Sequence, residues 1–149
     1  MLTAILSITA IVISCVSLAW QVVTWRQSGP VITVTVSQAM PTYGPGMGTS
    51  VGEPHVCVTA ANSGRSPITV KNWGLKLADG RTLAMRGTSW SAALPCRLEP
   101  GADASWYVET KSVTESCAAN GIRYQDLLAY VSLADGQTIK AREPGIRWK

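Results

Sequence analysis

Residues 31–37 have the sequence VITVTVS, and this stretch decides the fold. Its apolar and polar residues alternate and most of them are β-branched, which predicts a strand with one buried face. The composition favours the same class of structure, because the chain has six Trp, four Tyr and no Phe beside many Val, Thr, Ala and Gly. The chain after residue 30 is therefore predicted to be all-β.

Further β-rich segments follow the first, separated by Gly, Pro, Asn and Asp turn residues. They lie at 55–61, 67–77, 81–85, 94–98, 104–109, 127–133 and 137–142. About seven short strands with frequent turns, together with one short surface helix within 111–121, predict an immunoglobulin/fibronectin-like β-sandwich over residues 31–149.

Two of these strands carry more specific expectations. In the second strand, Val56, Val58 and Ala60 share one parity and are expected to face the core. In the third, at 67–77, the apolar positions change parity midway along the strand. Because side chains alternate between the two faces of a strand, this change predicts a β-bulge near Asn72.

The N-terminal segment is predicted to be a single transmembrane α-helix over residues 1–26, joined to the domain by a linker at 27–30. No charged side chain occurs before Arg26, and the apolar run is long enough to cross a bilayer core. Trp20 and Trp25, with Arg26 after them, have the pattern of residues that anchor a span at the lipid–water interface.

Removal of this segment as a signal is the main alternative to a permanent anchor. Cleavable signals carry positive charge ahead of the apolar run, and this chain has none there. The sequence VISC at 12–15 resembles a lipoprotein processing site with Cys15 as the lipidated residue, but the apolar run continues beyond Cys15. The hypothesis of an exported lipoprotein that acts as a binding module follows from this alternative.

Orientation in the membrane follows from basic residues close to the span. Arg26 is the basic residue beside it, and it lies on the C-terminal side. The positive-inside rule therefore predicts a single-pass protein of the cell membrane with its domain in the cytoplasm.

Small and weakly polar residues recur along one face of the predicted span at alternating spacings of three and four. They are Thr3, Ser7, Ala10, Ser14, Ser17, Gln21 and Thr24. Such a stripe permits close approach of two helices in lipid and predicts self-association. The alternative is that the hydroxyl groups bond to the backbone of their own helix.

The soluble part lacks the patterns that catalysis requires. His55 is the one histidine of the chain, and the motifs of common hydrolases, zinc proteases and dithiol enzymes are absent. The 13 Lys and Arg are scattered rather than clustered, against 9 Asp and Glu, which argues against nucleic-acid binding. We therefore predict a protein that is not an enzyme, with no cofactor, no nucleic-acid partner and no small-molecule substrate.

Three cysteines belong to the predicted domain, namely Cys57, Cys96 and Cys117. An odd number argues against a fully paired disulfide framework. In an oxidising compartment the expected pair is Cys96 with Cys117, because Cys57 lies within a strand. A zinc site that combines His55 and Cys57 with the other two thiols is a weaker alternative, since the spacing matches no known zinc pattern.

Two loops are candidates for contact with a partner. Residues 40–53 are rich in Gly and Pro and are predicted to be a linker or a contact surface. Trp90 lies among small residues at 87–93, where a large aromatic side chain is typical of an interface anchor. The alternative for Trp90 is that it caps one end of the core.

Several short segments give the chain a resemblance to known proteins. They are AWQ at 19–21, WRQSGP at 25–30, ANSG at 61–64, PITV at 67–70, LEPG at 98–101 and SWYV at 105–108. In these segments the chain resembles a group of small bacterial and phage proteins, mainly actinobacterial, in which a short anchor precedes an immunoglobulin-like domain. The resemblance implies the architecture and assigns no catalytic residue.

The leading functional hypothesis is a membrane-tethered interaction protein whose partners are the lipid bilayer, a protein and a second copy of itself. A second hypothesis is a phage-type envelope factor that assists lysis or excludes superinfection. In that hypothesis the span itself acts on the envelope and the domain regulates it.

Overall fold

A computed structural model describes residues 2–26, 28–43, 50–77, 79–83, 85 and 87–142. Two α-helices occur in the described chain, α1 at Leu2–Arg26 and α2 at Thr110–Ala119, and a 3₁₀ turn spans Tyr124–Asp126. The strands are β1 Ile32–Ala39, β2 Thr42–Tyr43, β3 Ser50–Val51, β4 His55–Asn62, β5 Ile68–Lys76, β6 Thr82–Leu83, β7 Cys96–Leu98, β8 Asp103–Glu109, β9 Leu128–Leu133 and β10 Thr138–Lys140. The prediction of a β-rich chain behind one N-terminal apolar helix is confirmed.

The strands form two main antiparallel sheets. One sheet has the order β1-β4-β8, and the other has the order β10-β9-β5-β6, with β7 paired to the first part of β5. A two-stranded ribbon, β2 with β3, lies within the segment predicted as a loop, of which residues 44–49 lie outside the described residues. The two main sheets together enclose the core.

The core lies between the inner faces of the two sheets. Val56, Val58 and Ala60 of β4 are fully buried, which confirms the predicted inner face of that strand. Trp106 of β8 is also fully buried and stacks on Trp73 of β5, with ring centroids 6.3 Å apart. This aromatic pair joins one sheet to the other through the centre of the core.

The predicted irregularity in β5 is present. Val70 pairs with Leu133, and the next paired residue is Asn72, opposite Ser132, so one extra residue is inserted at this point. The backbone N–H of Trp73 donates to Oδ1 of Asn72 at 2.9 Å. The bulge lets apolar side chains of both parities in β5 reach the core.

The pattern LADG occurs at two hairpin turns that have the same local chemistry. Asp79 Oδ1 accepts from the N–H of Arg81 at 2.9 Å, and Asp135 Oδ1 accepts from the N–H of Gln137 at the same distance. The glycines that follow these aspartates have φ of +93° and +88°, a conformation that favours glycine. The hydrogen bonds from Arg81 also lower the pKa of the Asp79 carboxyl.

The sequence predicts α2 as a surface helix, but one face of α2 also contributes to the core. Val113 and Cys117 are buried and belong to the core, while the other face of the helix is exposed. Burial raises the pKa of the Cys117 thiol. Burial also raises the pKa of the Tyr124 phenol, and the neighbouring Cys117 adds to this effect. Both groups therefore stay neutral near physiological pH.

The segment predicted as a linker is bonded to the domain. The N–H of Arg65 donates to the carbonyl of Gly29 at 3.3 Å, and the N–H of Ser63 donates to the carbonyl of Val31 at 2.9 Å. The hydroxyl of Ser66 donates to the carbonyl of Ser28. Residues 28–31 are therefore held against the turn at 62–66, and we call this arrangement the junction.

Candidate functional site: the aromatic cluster around Trp90

The loop that carries Trp90 is fixed to the edge of β8. The N–H of Thr88 donates to the carbonyl of Tyr107 at 3.1 Å, and the N–H of Ala92 donates to the carbonyl of Ser105 at 3.0 Å. Between them, Ser91 Oγ accepts from the N–H of Tyr107 at 2.9 Å. These bonds satisfy polar groups at the strand edge and hold residue 90 over the sheet.

Trp90 lies on the outer face of the β1-β4-β8 sheet. Its ring centroid is 4.8 Å from that of His55 and 5.8 Å from that of Tyr107. His55 and Tyr107 have the strand parity opposite to the core residues Val56 and Trp106. Trp90 therefore packs outside the core, where 44 % of its surface is exposed while His55 beneath it is 4 % exposed.

Next to these rings, the outer face of the sheet carries hydroxyl and thiol groups. Thr59 Oγ1 and Ser105 Oγ are 2.8 Å apart, and Cys57 Sγ lies 3.5 Å from Thr59 Oγ1. The nearby Cys57 thiol and partial burial raise the pKa of Tyr107. The phenol is therefore neutral at physiological pH, and the cluster presents aromatic surface with neutral polar groups.

His55 is held by the backbone next to it. Its Nδ1 lies 2.7 Å from the carbonyl oxygen of Glu53. Because a carbonyl only accepts, Nδ1 carries the proton of this hydrogen bond. The ring is thus oriented by the segment just before its strand and packs under Trp90 in a tilted arrangement, which is suited to supporting a contact surface.

The described cysteines are all free thiols. Cys57 and Cys117 are buried, Cys96 is half-buried, and Cys15 is exposed on α1. Cys96 lies in β7 opposite Val70, whereas Cys117 lies on α2, so the pair proposed for an oxidising compartment stays a prediction. Among the described residues no group of three or more His, Cys, Asp and Glu side chains is arranged to hold a metal ion, and the zinc set is not brought together.

A shallow depression lies between the turn at 79–81 and the segment 121–126. Its charged side chains are paired with each other. Arg81 Nε lies 2.7 Å from Asp79 Oδ2, and Arg123 Nε lies 3.1 Å from Asp126 Oδ2. Since each guanidinium already has a carboxylate partner, the depression offers little to an anionic ligand.

The helix α1 is long and apolar enough to cross a bilayer between Ser7 and Trp25, and none of that stretch is buried by the rest of the chain. Trp20 and Trp25 are strongly exposed near its end. Within the predicted stripe, Ser14 Oγ donates to the Ala10 carbonyl and Thr24 Oγ1 to the Trp20 carbonyl, both at 2.8 Å. Two stripe hydroxyls are therefore satisfied by their own helix, as the alternative expectation describes.

No protein-family model matches the chain, and no curated protein sequence matches it. The comparisons therefore assign neither a family nor an activity, and function must be argued from the structure. The described chain itself defines a class: a β-rich domain of two sheets behind one N-terminal helix of membrane-spanning length.

Sequence reasoning singled out Trp90 but missed the partners that make it a cluster. His55 and Tyr107 come from different strands, and Ser91 fixes the loop to one of them. Because side chains alternate between the two faces along residues 105–108, the sequence does place Tyr107 on the face opposite to the core residue Trp106. Nothing in the sequence says that the loop crosses the β8 edge to cover that face.

Proposed function

We propose that this chain is a single-pass membrane protein whose β-domain is a non-enzymatic interaction module presented at the membrane surface. The main observation behind the proposal is that the helix α1 and the β-domain differ in how far their apolar residues are buried. The stretch Ser7–Trp25 of α1 has no buried residue, whereas the domain has a complete core of its own. An apolar helix that the domain does not cover needs another apolar environment, which a bilayer supplies.

The domain is proposed to be a sandwich of immunoglobulin or fibronectin type III character. With the short strands β2, β3, β6 and β7 set aside, the remaining strands correspond in chain order to A, B, C, E, F and G. In such folds A, B and E lie in one sheet and C, F and G in the other. The sheet orders β1-β4-β8 and β10-β9-β5 support this assignment.

The aromatic cluster supports the interaction role. A partly exposed tryptophan braced by two further rings is a rigid contact of large area, as found at the centres of protein interfaces. The partner that fits it is a protein surface with an apolar pocket and neutral hydrogen-bonding groups. The domain faces the cytoplasm in this proposal, because Arg26 is the last residue of α1.

Extraction of membranes tests the anchor. Membranes from cells that express the full chain are washed with alkaline carbonate, which strips peripheral proteins. We expect the wild-type chain to stay with the lipid. The double variant Ile13→Asp/Val16→Asp is expected to be lost from the membrane fraction, because each carboxylate near the helix centre costs about 2.5–3.5 kcal/mol.

Val51→Asp is the matched control, since Val51 is an exposed valine of the domain. This variant should stay in the membrane as the wild type does. Release of the wild-type chain by carbonate, or equal retention of the double variant, would show that α1 is not a spanning helix.

A further inference from the structure

We propose that the free edge of β1 is an interaction surface at which a second copy of this chain pairs, joining two three-stranded sheets into one of six strands. The proposal rests on the membrane anchoring proposed above, which confines the copies to one plane. It adds to that function a specific partner and a specific contact.

The edge of β1 is open in the described chain. β1 pairs with β4 from Ile32 opposite Asn62 to Ala39 opposite His55, without a shift in register. It is the outermost strand of its sheet, and no other described backbone group bonds to its outward side. Alternate residues along this regular eight-residue strand thus present unpaired N–H and C=O groups, which an extended chain matches.

The other sheet edges carry the features that prevent such pairing. The edge of β8 is covered by the Trp90 loop through the bonds of Thr88 and Ala92. β6 has two residues, and β7 and β10 have three each, with Arg97 and Lys140 among them. Short and charged edges resist strand addition. β1 lies near β9 and β10 of the other sheet, but it is the long edge to which no described backbone group outside its own sheet bonds.

The side chains of β1 favour an identical partner. Thr33, Thr35 and Ser37 are exposed on the outer face, and residues 27–52 contain no charged side chain. An antiparallel copy related by a two-fold axis would place hydroxyl-bearing side chains opposite each other. Such cross-strand pairs are favourable, and no like charges meet.

Anchoring in the membrane compensates for the small area that this contact buries. One pair of eight-residue strands buries much less area than a stable soluble dimer does. Anchoring raises the local concentration of the second strand, and the junction holds β1 close behind the end of α1. Two copies that their anchors hold in one membrane plane would then meet at the strand edge.

Cysteine cross-linking in lipid vesicles tests the contact in the full chain. Single cysteines are placed by Thr33→Cys, Thr35→Cys and Ser37→Cys in a background of Cys15→Ser and Cys96→Ser, where Cys57 and Cys117 stay buried. The variants are tested singly and as pairwise mixtures, because a two-fold axis at residue 33, 35 or 37 places that position next to its own copy, whereas an axis at residue 34 or 36 places two of the positions opposite each other, with Cβ atoms about 5 Å apart. The variant or mixture whose positions face each other should form a disulfide dimer under mild oxidation. Asp103→Cys, on the far strand β8, is the control and should not.

A charge at the edge provides the second measurement. Thr35→Lys should lower the cross-linked fraction by about fivefold, because two lysines then approach each other across the pair. Ser112→Lys is the matched control, since it adds the same charge to an exposed hydroxyl-bearing residue on the helix α2, outside the strand edges. It should leave the dimer unchanged.

The outcomes separate the two proposals. A chain that does not enter the vesicles contradicts the anchor. A chain that inserts, but whose β1 cysteines cross-link no better than Asp103→Cys, overturns the edge contact and leaves the anchor standing. Equal effects of the two lysine substitutions also overturn it.

Discussion

Replacement of Trp106 by alanine is expected to lower the free energy of unfolding by about 3–5 kcal/mol, the usual range for a fully buried tryptophan. Trp106 has no exposed surface and stacks on Trp73 of the opposite sheet. Its Nε1–H also donates to the carbonyl of Ala92 at 3.0 Å, which ties the Trp90 loop to the core. Chemical denaturation of the full chain in detergent, followed by circular dichroism of the strands, measures the loss.

Trp90→Ala is the matched control for this experiment. The same residue type is removed, but Trp90 is 44 % exposed and lies outside the core. We expect its effect on unfolding to stay within about 1 kcal/mol. Equal losses for the two substitutions would contradict the assignment of one tryptophan to the core and the other to the surface.

Gly64→Ala is expected to open the junction and to cost about 1–3 kcal/mol, the range for overpacking a tight site. A Cβ atom at residue 64 would lie 2.3 Å from the backbone nitrogen of Val31 and 2.5 Å from the carbonyl oxygen of Gly29. Both neighbours are backbone atoms, so the segment itself must move. Hydrogen exchange should then become faster at the amides of Ser63 and Arg65, which donate across the junction.

Gly29→Ala tests the other side of the same junction. No atom lies within 4 Å of a Cβ at residue 29, so this variant should keep the exchange rates and stability of the wild type. Unchanged exchange in Gly64→Ala would mean that residues 28–31 do not need the close approach to the turn.

The features that depend on local periodicity could be predicted from the sequence. The alternation of apolar and polar residues predicts β1 and the inner face of β4. The change of parity in 67–77 predicts the bulge near Asn72. The apolar run before Arg26 gives α1, because length and absence of charge suffice to recognise it. Each of these patterns lies within one segment of about ten to twenty-five residues.

The features that depend on distant contacts could not be predicted in this way. The burial of Val113 and Cys117 on α2 requires a core that only the assembled sheets provide. The cover of His55 by Trp90 requires the loop to cross the β8 edge, and the junction requires Gly64 to meet residues 29–31. In each case the partners are far apart in sequence and carry no shared motif.

Labelling of a surface cysteine in intact cells tests the central claim most directly, namely that α1 spans the membrane once and leaves the domain in the cytoplasm. The variant Ser112→Cys places an exposed thiol on α2, in the background of Cys15→Ser and Cys96→Ser. A membrane-impermeant maleimide is applied before and after permeabilisation. We predict labelling of membrane-bound protein only after permeabilisation, whereas labelling in intact cells would contradict the orientation derived from Arg26.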